Sequence, residues 1–124
     1  MAESSAELHE GRETLHPATL ERHRAIVSVM EELEAIDWYD QRIDASEDDE
    51  LRAILEHNRD EEKEHAAMAL EWLRRHDPIL DRYLREYLFT DGPIAAREAA
   101  VKNGNGSVAS GNSLGIGTLR GGQA

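Results

Sequence analysis

The chain has no cysteine among its 124 residues. This absence excludes disulfide bonds, cysteine-ligated zinc and thiol catalysis. No apolar run approaches the roughly 18 residues that a membrane-spanning helix needs, and no signal-peptide pattern opens the sequence. We therefore expect a protein of a cytosol-like compartment with no membrane partner.

Positive charge is scarce, because 14 basic residues stand against 26 acidic ones and the formal net charge is −12. Such a balance repels a phosphate backbone, so we do not expect a nucleic-acid partner. The acidic excess is concentrated between Glu31 and Glu64, where 15 acidic and four basic residues leave a net charge of −11. A segment with this charge favours a cationic partner.

Composition divides the chain into four segments. Residues 1–16 are polar without a sustained period and predict a flexible arm, whereas 17–98 have helical periodicity. Residues 99–112 are rich in Gly, Asn and Ser and predict a flexible linker. Residues 113–124 form a tail with three aliphatic side chains, Leu114, Ile116 and Leu119.

A long first helix is predicted from Thr19 to about Asp44, after Pro17 in its first turn. One face carries a stripe with helical spacing, in which a glutamate interrupts the apolar residues: Ala25, Val29, Glu32, Ile36, Tyr39 and Ile43.

A second long helix is predicted from about Asp48 to His76. We assign its capping side chain to Ser46, which is followed by acidic residues at 47–50. Its stripe is again apolar at the ends and polar in the middle, with Trp72 assigned to the core: Leu51, Leu55, Asn58, Glu62, His65, Ala69 and Trp72.

A shorter third helix is predicted over about Ile79 to Phe89, and strand signals are weak throughout. The fold class is therefore all-α, with two long helices in an antiparallel hairpin and a short third helix. Because two helices cannot bury their apolar stripes alone, we expect the hairpin to dimerise into a four-helix bundle.

The polar residues in the two stripes predict a metal site. A carboxylate at a core position costs several kcal/mol unless it is paired, protonated or metal-bound. Glu62 and His65 project from the same side of the helix, and their O and N donors suit iron, manganese or zinc. Di-iron bundles use a Glu from each of two helices and a Glu-x-x-His from each of two others. With Glu32, this chain has half of that set, and a dimer completes it.

The same residues also allow interpretations without a catalytic metal site. Glu-x-x-His occurs by chance on exposed helices, and a stripe shifted by one residue would turn Glu61 and Glu64 inward and leave Glu62 in solvent. A second hypothesis is a cation-holding or scaffold module without turnover, and a third is a purely structural coiled-coil dimer.

Four further residues allow two interpretations each. Glu31, Glu34 and Trp38 form either a solvated face or an outer site that attracts cations toward the centre. Tyr39 either packs in the core or places its phenol near the metals.

The stretches RHRAIVSVMEELEAIDWYDQR (22–42) and HNRDEEKEH (57–65) closely resemble the encapsulated ferritins. The tail SLGIGTLRGG (113–122) is similar to the targeting peptides that dock cargo inside an encapsulin shell. The resemblance covers about Glu21 to Phe89 and the tail.

This resemblance implies a ferroxidase, an iron(II):oxygen oxidoreductase that supplies iron for storage in the lumen of a cytoplasmic encapsulin nanocompartment. It implies two-helix protomers that pair around a ferritin-like di-iron site, and dimers that assemble into an annular homo-oligomer, expected to be a decamer. The shell protein would bind the tail.

The resemblance also implies residue roles. Di-iron ligands from each protomer would be Glu32, Glu62 and His65, with Tyr39 beside them. An outer metal-access site would comprise Glu31, Glu34 and Trp38, and secondary acidic sites would hold calcium or other divalent cations.

Overall fold

The computed structural model describes residues 7–111, with side chains described from 7 to 103. This part contains a 3-10 turn, Arg12–Thr14, and no strand. Its four helices are α1 (Pro17–Ala45), α2 (Asp49–Arg75), α3 (Pro78–Tyr87) and α4 (Ile94–Gly111). The all-α prediction is confirmed for the described residues. None of these helices is both long and apolar enough to cross a bilayer.

Helix α1 begins at Pro17, whose fixed φ suits the first turn, and ends where the backbone of Ser46 becomes extended. Three residues later α2 begins. Its capping residue is Asp48, whose side chain accepts a hydrogen bond of 2.9 Å from the Leu51 amide. The prediction that Ser46 caps α2 is therefore wrong. Ser46 instead closes α1, and its Oγ accepts a bond of 3.3 Å from the amide of Asp48.

Helices α1 and α2 pack against each other as an antiparallel hairpin with a thin core. The buried side chains of this unit are Ile43, Ala66 and Leu73, and no described side chain is completely enclosed. An ion pair of 3.0 Å between Arg59 and Asp40 links the two helices. This thin core agrees with the expectation that the hairpin has too little interior to be complete alone.

The described residues from 79 onward belong to a second unit, in which a short connection at 88–93 joins α3 to α4. Val101 is buried here at 4% exposure. The Arg97 guanidinium donates a hydrogen bond of 3.1 Å to the Glu86 carbonyl. Helix α3 ends two residues earlier than predicted, and Thr90 donates to the Tyr87 carbonyl at 2.8 Å there.

The structure places helical elements in parts of the predicted arm and of the predicted linker. The predicted flexible arm contains the 3-10 turn at 12–14, closed by a bond of 2.9 Å from the Thr14 amide to the Gly11 carbonyl. The predicted linker lies largely within α4. The run IAAREAAVK (94–102) is rich in strong helix formers, and the prediction gave more weight to the Gly and Asn residues that follow it. The tail at 113–124 lies outside the described residues.

Candidate metal centre

The hairpin brings Glu32, Glu62 and His65 together at the middle of α1 and α2. One ligand atom from each of these side chains lies within 4.8 Å of the other two. His65 Nδ1 is 3.3 Å from Glu62 Oε1 and 3.9 Å from Glu32 Oε1. The i, i+3 spacing on α2 places Glu62 beside His65, and the antiparallel packing of α1 places Glu32 opposite both. We call these three residues the triad.

The orientation of α2 distinguishes the two possible inward pairs. Side-chain exposure is 26% for Glu62 and 50% for Glu61, and Glu64 is also exposed. Glu62 therefore faces α1, and the alternative register with Glu61 and Glu64 inside is not the one that the structure adopts.

The two carboxyl groups of the triad interact directly with each other. A hydrogen bond to Glu62 raises the pKa of Glu32, and partial burial raises it further. The same hydrogen bond lowers the pKa of Glu62, and the neighbouring His65 lowers it as well. Two facing carboxylates repel each other when both are ionised, so a divalent cation between them would be favourable.

The donor atoms of the triad are of the types that iron binds, but one protomer supplies too few of them for a di-iron site. Two carboxylates and an imidazole are O and N ligands of the kind that iron, manganese and zinc accept. The side-chain exposures are 26% for Glu32 and Glu62 and 46% for His65, so the triad is open on one side. Three donors from one protomer are half of the set that a di-iron bundle uses.

Large apolar side chains are exposed on both long helices. On α2, the exposed residues Ile54, Met68 and Trp72 lie on the same helical face as His65. The large apolar residues of α1 and α2 that are at least 36% exposed are Ile26, Leu33, Trp38, Leu51, Ile54, Met68 and Trp72. Trp72 is thus not a core residue of the hairpin, and its ring instead stacks on His76 at 3.8 Å.

Tyr39 is half-buried on α1, below the Arg42 guanidinium, which lies 5.3 Å from the ring centroid. Among the described residues, no hydrogen bond joins Tyr39 to the triad. The alternatives of packing and of a role near a metal therefore both stay open for this residue.

The proposed outer residues lie on the neighbouring face of α1. Glu31 is exposed, Glu34 is half-buried, and the charge of Glu31 contributes to the raised pKa of Glu32. Trp38 is 49% exposed and lines a shallow surface cavity with Gln41 and Arg42. Within the part of the chain that the structure describes, Glu31 and Glu34 do not belong to a group of three metal-ligating side chains.

The structure adds one residue that sequence reasoning did not connect to the centre. Glu61 Oε1 lies 3.9 Å from His65 Nε2, on the side of the ring opposite to Glu62. The i, i+4 spacing of Glu61 and His65 was the available signal.

Comparisons with known proteins place this architecture in a family. The family model described as EncFtn-like matches residues 7–91. The encapsulated ferritin-like protein of Rhodospirillum rubrum is 63% identical over 130 aligned residues, covering 98% of this chain and 93% of the relative. A ferritin-like protein of Thermotoga maritima is 55% identical over 93 residues, covering 75% of this chain and 80% of the relative.

A more distant sequence relative and a solved structure support the same family. The encapsulin nanocompartment cargo protein EncC of Myxococcus xanthus is 40% identical over 60 residues, covering 48% of this chain and 46% of the relative. The crystal structure of protein ne0167 from Nitrosomonas europaea has a TM-score of 0.69 and 59% identity, covering 71% of this chain and 97% of that one. The chain therefore belongs to the EncFtn-like family of encapsulated ferritin-like proteins.

Proposed function

We propose that the protein is a ferroxidase whose substrates are Fe(II) and dioxygen. The reaction takes place at a di-iron site formed by Glu32, Glu62 and His65 of two protomers. The observation that carries this proposal is the convergence of the triad, with ligand atoms within 4.8 Å of one another on an open face. Membership of an encapsulated ferritin-like family supports iron as the metal.

The redox balance requires two irons and one oxidant. Two Fe(II) ions each lose one electron, and dioxygen takes up both electrons with two protons from solvent to give hydrogen peroxide. Glu32 and Glu62 favour this direction because hard, anionic oxygen ligands stabilise Fe(III) more than Fe(II). His65 adds a nitrogen ligand beside them, and the surrounding apolar side chains limit the access of water.

A second copy of the chain completes the site and covers the apolar face. In a two-fold dimer the same patch faces itself, so both triads meet at the symmetry axis. Leu33, Ile54 and Met68 are 56%, 52% and 65% exposed in the protomer and would become buried there. Metal binding and association then share one interface, and the four long helices form a ferritin-like bundle.

We also propose roles for residues outside the triad, for the oligomer and for the tail. Glu31, Glu34 and Trp38 form a metal-access site, Tyr39 acts beside the di-iron centre, and calcium or other divalent cations occupy secondary acidic sites. Dimers assemble into an annular decamer. The tail at 113–124 binds an encapsulin shell, which places the enzyme in the shell lumen. The names of the Rhodospirillum and Myxococcus relatives support the shell as partner.

A comparison of Glu62→Ala with Glu64→Ala tests the enzymatic activity. Both residues are on α2, but Glu62 belongs to the triad and Glu64 is exposed. Aerobic Fe(II) oxidation, followed as ferric absorbance and oxygen consumption, should be abolished by Glu62→Ala and retained by Glu64→Ala. Oxidation at the wild-type rate in Glu62→Ala would contradict the proposal.

A cation-holding module without turnover is the second candidate. It is favoured by the charge of −11 between Glu31 and Glu64, which attracts cations without any redox step. Oxygen consumption distinguishes the two functions. A holding module binds Fe(II) under anaerobic conditions but consumes no oxygen when oxygen is then admitted.

A further inference from the structure

The two ring nitrogens of His65 face different carboxylates. Nδ1 points to the triad, 3.3 Å from Glu62 and 3.9 Å from Glu32. Nε2 lies on the opposite side of the ring, 3.9 Å from Oε1 of Glu61. Glu61 is therefore the carboxylate on the far side of the imidazole from the proposed irons.

A metal on one nitrogen fixes the proton on the other. A neutral imidazole carries one N–H, and a nitrogen that binds a metal cannot carry it. If Nδ1 is the ligand atom, as its position beside Glu62 requires, the proton is on Nε2. An N–H in this position needs an acceptor that keeps the ring in its coordinating orientation.

We propose that Glu61 is the positioning residue for His65, accepting the Nε2 proton when Nδ1 binds a metal. This inference rests on the proposed function, because it takes the triad as the metal site. Glu61 does not contact the metal and acts through the imidazole. Carboxylate–histidine–metal arrangements of this kind fix the ring and make the imidazole a stronger donor.

The geometry permits this contact at small cost. The distance of 3.9 Å is about 1 Å longer than an ordinary N–H···O hydrogen bond. The Glu61 side chain is 50% exposed, so it can change rotamer without displacing a packed neighbour. Among the described residues, the carboxylates within 4 Å of the His65 ring nitrogens are Glu32, Glu61 and Glu62, and only Glu61 is on the Nε2 side.

Glu64 provides a matched control. It is on the same helix, is exposed, and has the same charge as Glu61, but it lines a surface groove with Met68 and Trp72. Glu61→Gln and Glu64→Gln therefore remove the same charge at nearly the same place. Only Glu61→Gln replaces the acceptor that faces His65 with a neutral amide.

The experiment titrates the full-length, metal-free protein with Co(II) and follows the d–d absorption of the bound ion. We expect Glu61→Gln to weaken Co(II) binding about 10- to 100-fold, the range typical for loss of a partner that orients a ligand. Its absorption maxima should also shift, because the imidazole becomes a weaker donor. Glu64→Gln should leave the maxima unchanged and weaken binding less than about 3-fold, by long-range charge alone.

A double-mutant cycle separates positioning from general charge. In a His65→Ala background, Glu61→Gln should weaken binding less than about 3-fold, by long-range charge alone, because the residue through which Glu61 acts is gone. Equal effects of the two Gln variants with identical spectra, or the same loss from Glu61→Gln with and without His65, would overturn the proposal.

The titration also separates this inference from the proposed function. Glu62→Gln, which removes a triad carboxylate, should weaken Co(II) binding more than either of the other variants. If Glu62→Gln binds Co(II) as the wild type does, the triad is not the metal site and the proposed function fails. If Glu62→Gln fails to bind but Glu61→Gln matches Glu64→Gln, only the role of Glu61 is wrong.

Discussion

Two groups of carboxylates on the same hairpin are stabilised in opposite ways. Near the end of α2, Glu71 accepts bonds of 2.7 Å from Arg75 and of 2.7 and 2.8 Å from Arg74. These hydrogen bonds lower the pKa of Glu71 to about 2. At the middle of the hairpin, Glu32 and Glu62 instead face each other and His65.

The two groups differ in the source of their counter-charge. The Glu71 side chain is 42% exposed, and its counter-charges come from its own helix. Among the contacts that the structure describes for Glu32 and Glu62, none is with arginine or lysine, although half-buried carboxylates need a counter-charge. The chain thus supplies arginine to Glu71 and, among the described contacts, no arginine or lysine to the central pair, which is the arrangement that the proposed metal site needs.

The largest expected effect is the loss of metal affinity when a carboxylate of the triad is removed. Glu32→Ala should weaken Fe(II) and Co(II) binding by at least about 100-fold, because it removes a ligand rather than a ligand's partner. Glu71→Ala removes the same charge from an arginine-paired position outside the triad and should change metal affinity less than about 3-fold. Anaerobic titration of both variants measures the difference. Equal losses would mean that total charge, and not the triad, determines affinity.

Metal binding should also stabilise the fold. A cation that binds only the native state at 100 times its dissociation constant adds about 2.7 kcal/mol to the free energy of unfolding. We expect Co(II) to raise the Tm of the wild type and of Glu71→Ala, but not that of Glu32→Ala. Thermal melts with and without chelator check this, and an equal rise in Glu32→Ala would contradict it.

A somewhat smaller effect is expected at the apolar face around the triad. Leu33→Asp puts a charge on a side chain that is 56% exposed in the protomer and buried in the proposed dimer. Loss of about 2 kcal/mol of association weakens the dimer about 30-fold. The control is Ser28→Asp, which adds the same charge at another exposed position of α1. Light scattering at several concentrations measures association, and equal behaviour of the two variants would place the interface elsewhere.

The smallest effect concerns the pH dependence of the Glu71 cluster. Because its folded pKa of about 2 lies below the ordinary value of 4.5, its ionised form stabilises the fold above pH 4.5. This contribution is lost as the pH falls from about 4.5 toward 2. The Tm of the wild type should therefore exceed that of Glu71→Gln slightly at pH 7, and the gap should close over this window. A constant gap would show that the ionised carboxylate is not its source.

Much of the hairpin and the triad could be predicted from sequence because both depend on local rules. Helical spacing places Glu62 and His65 on one side of α2, and the interrupted stripes place Glu32 opposite them. The cap of α2 could not be assigned with the same certainty, because Ser46 and Asp48 are both good capping residues within a three-residue connection.

Other features depend on information that a single stripe does not contain. The position of Glu61 beside Nε2 follows from the rotamer of His65, which periodicity does not specify. Trp72 looks like a core residue in the stripe, but a two-helix unit has too little interior to cover it. Helix α4 continues into a segment whose Gly and Asn residues favour a loop, so propensity alone does not give the bounds of this helix.

The central claim is that two copies of the triad hold two irons across a dimer interface. The most direct test is a crystal structure of the full-length protein grown anaerobically with Fe(II), with anomalous maps recorded at the iron edge. The account predicts two iron peaks between paired hairpins, each within bonding distance of Glu32, Glu62 or His65 side chains from both protomers. Iron bound by one protomer alone, or iron absent from the triad and present on other acidic residues, would contradict it.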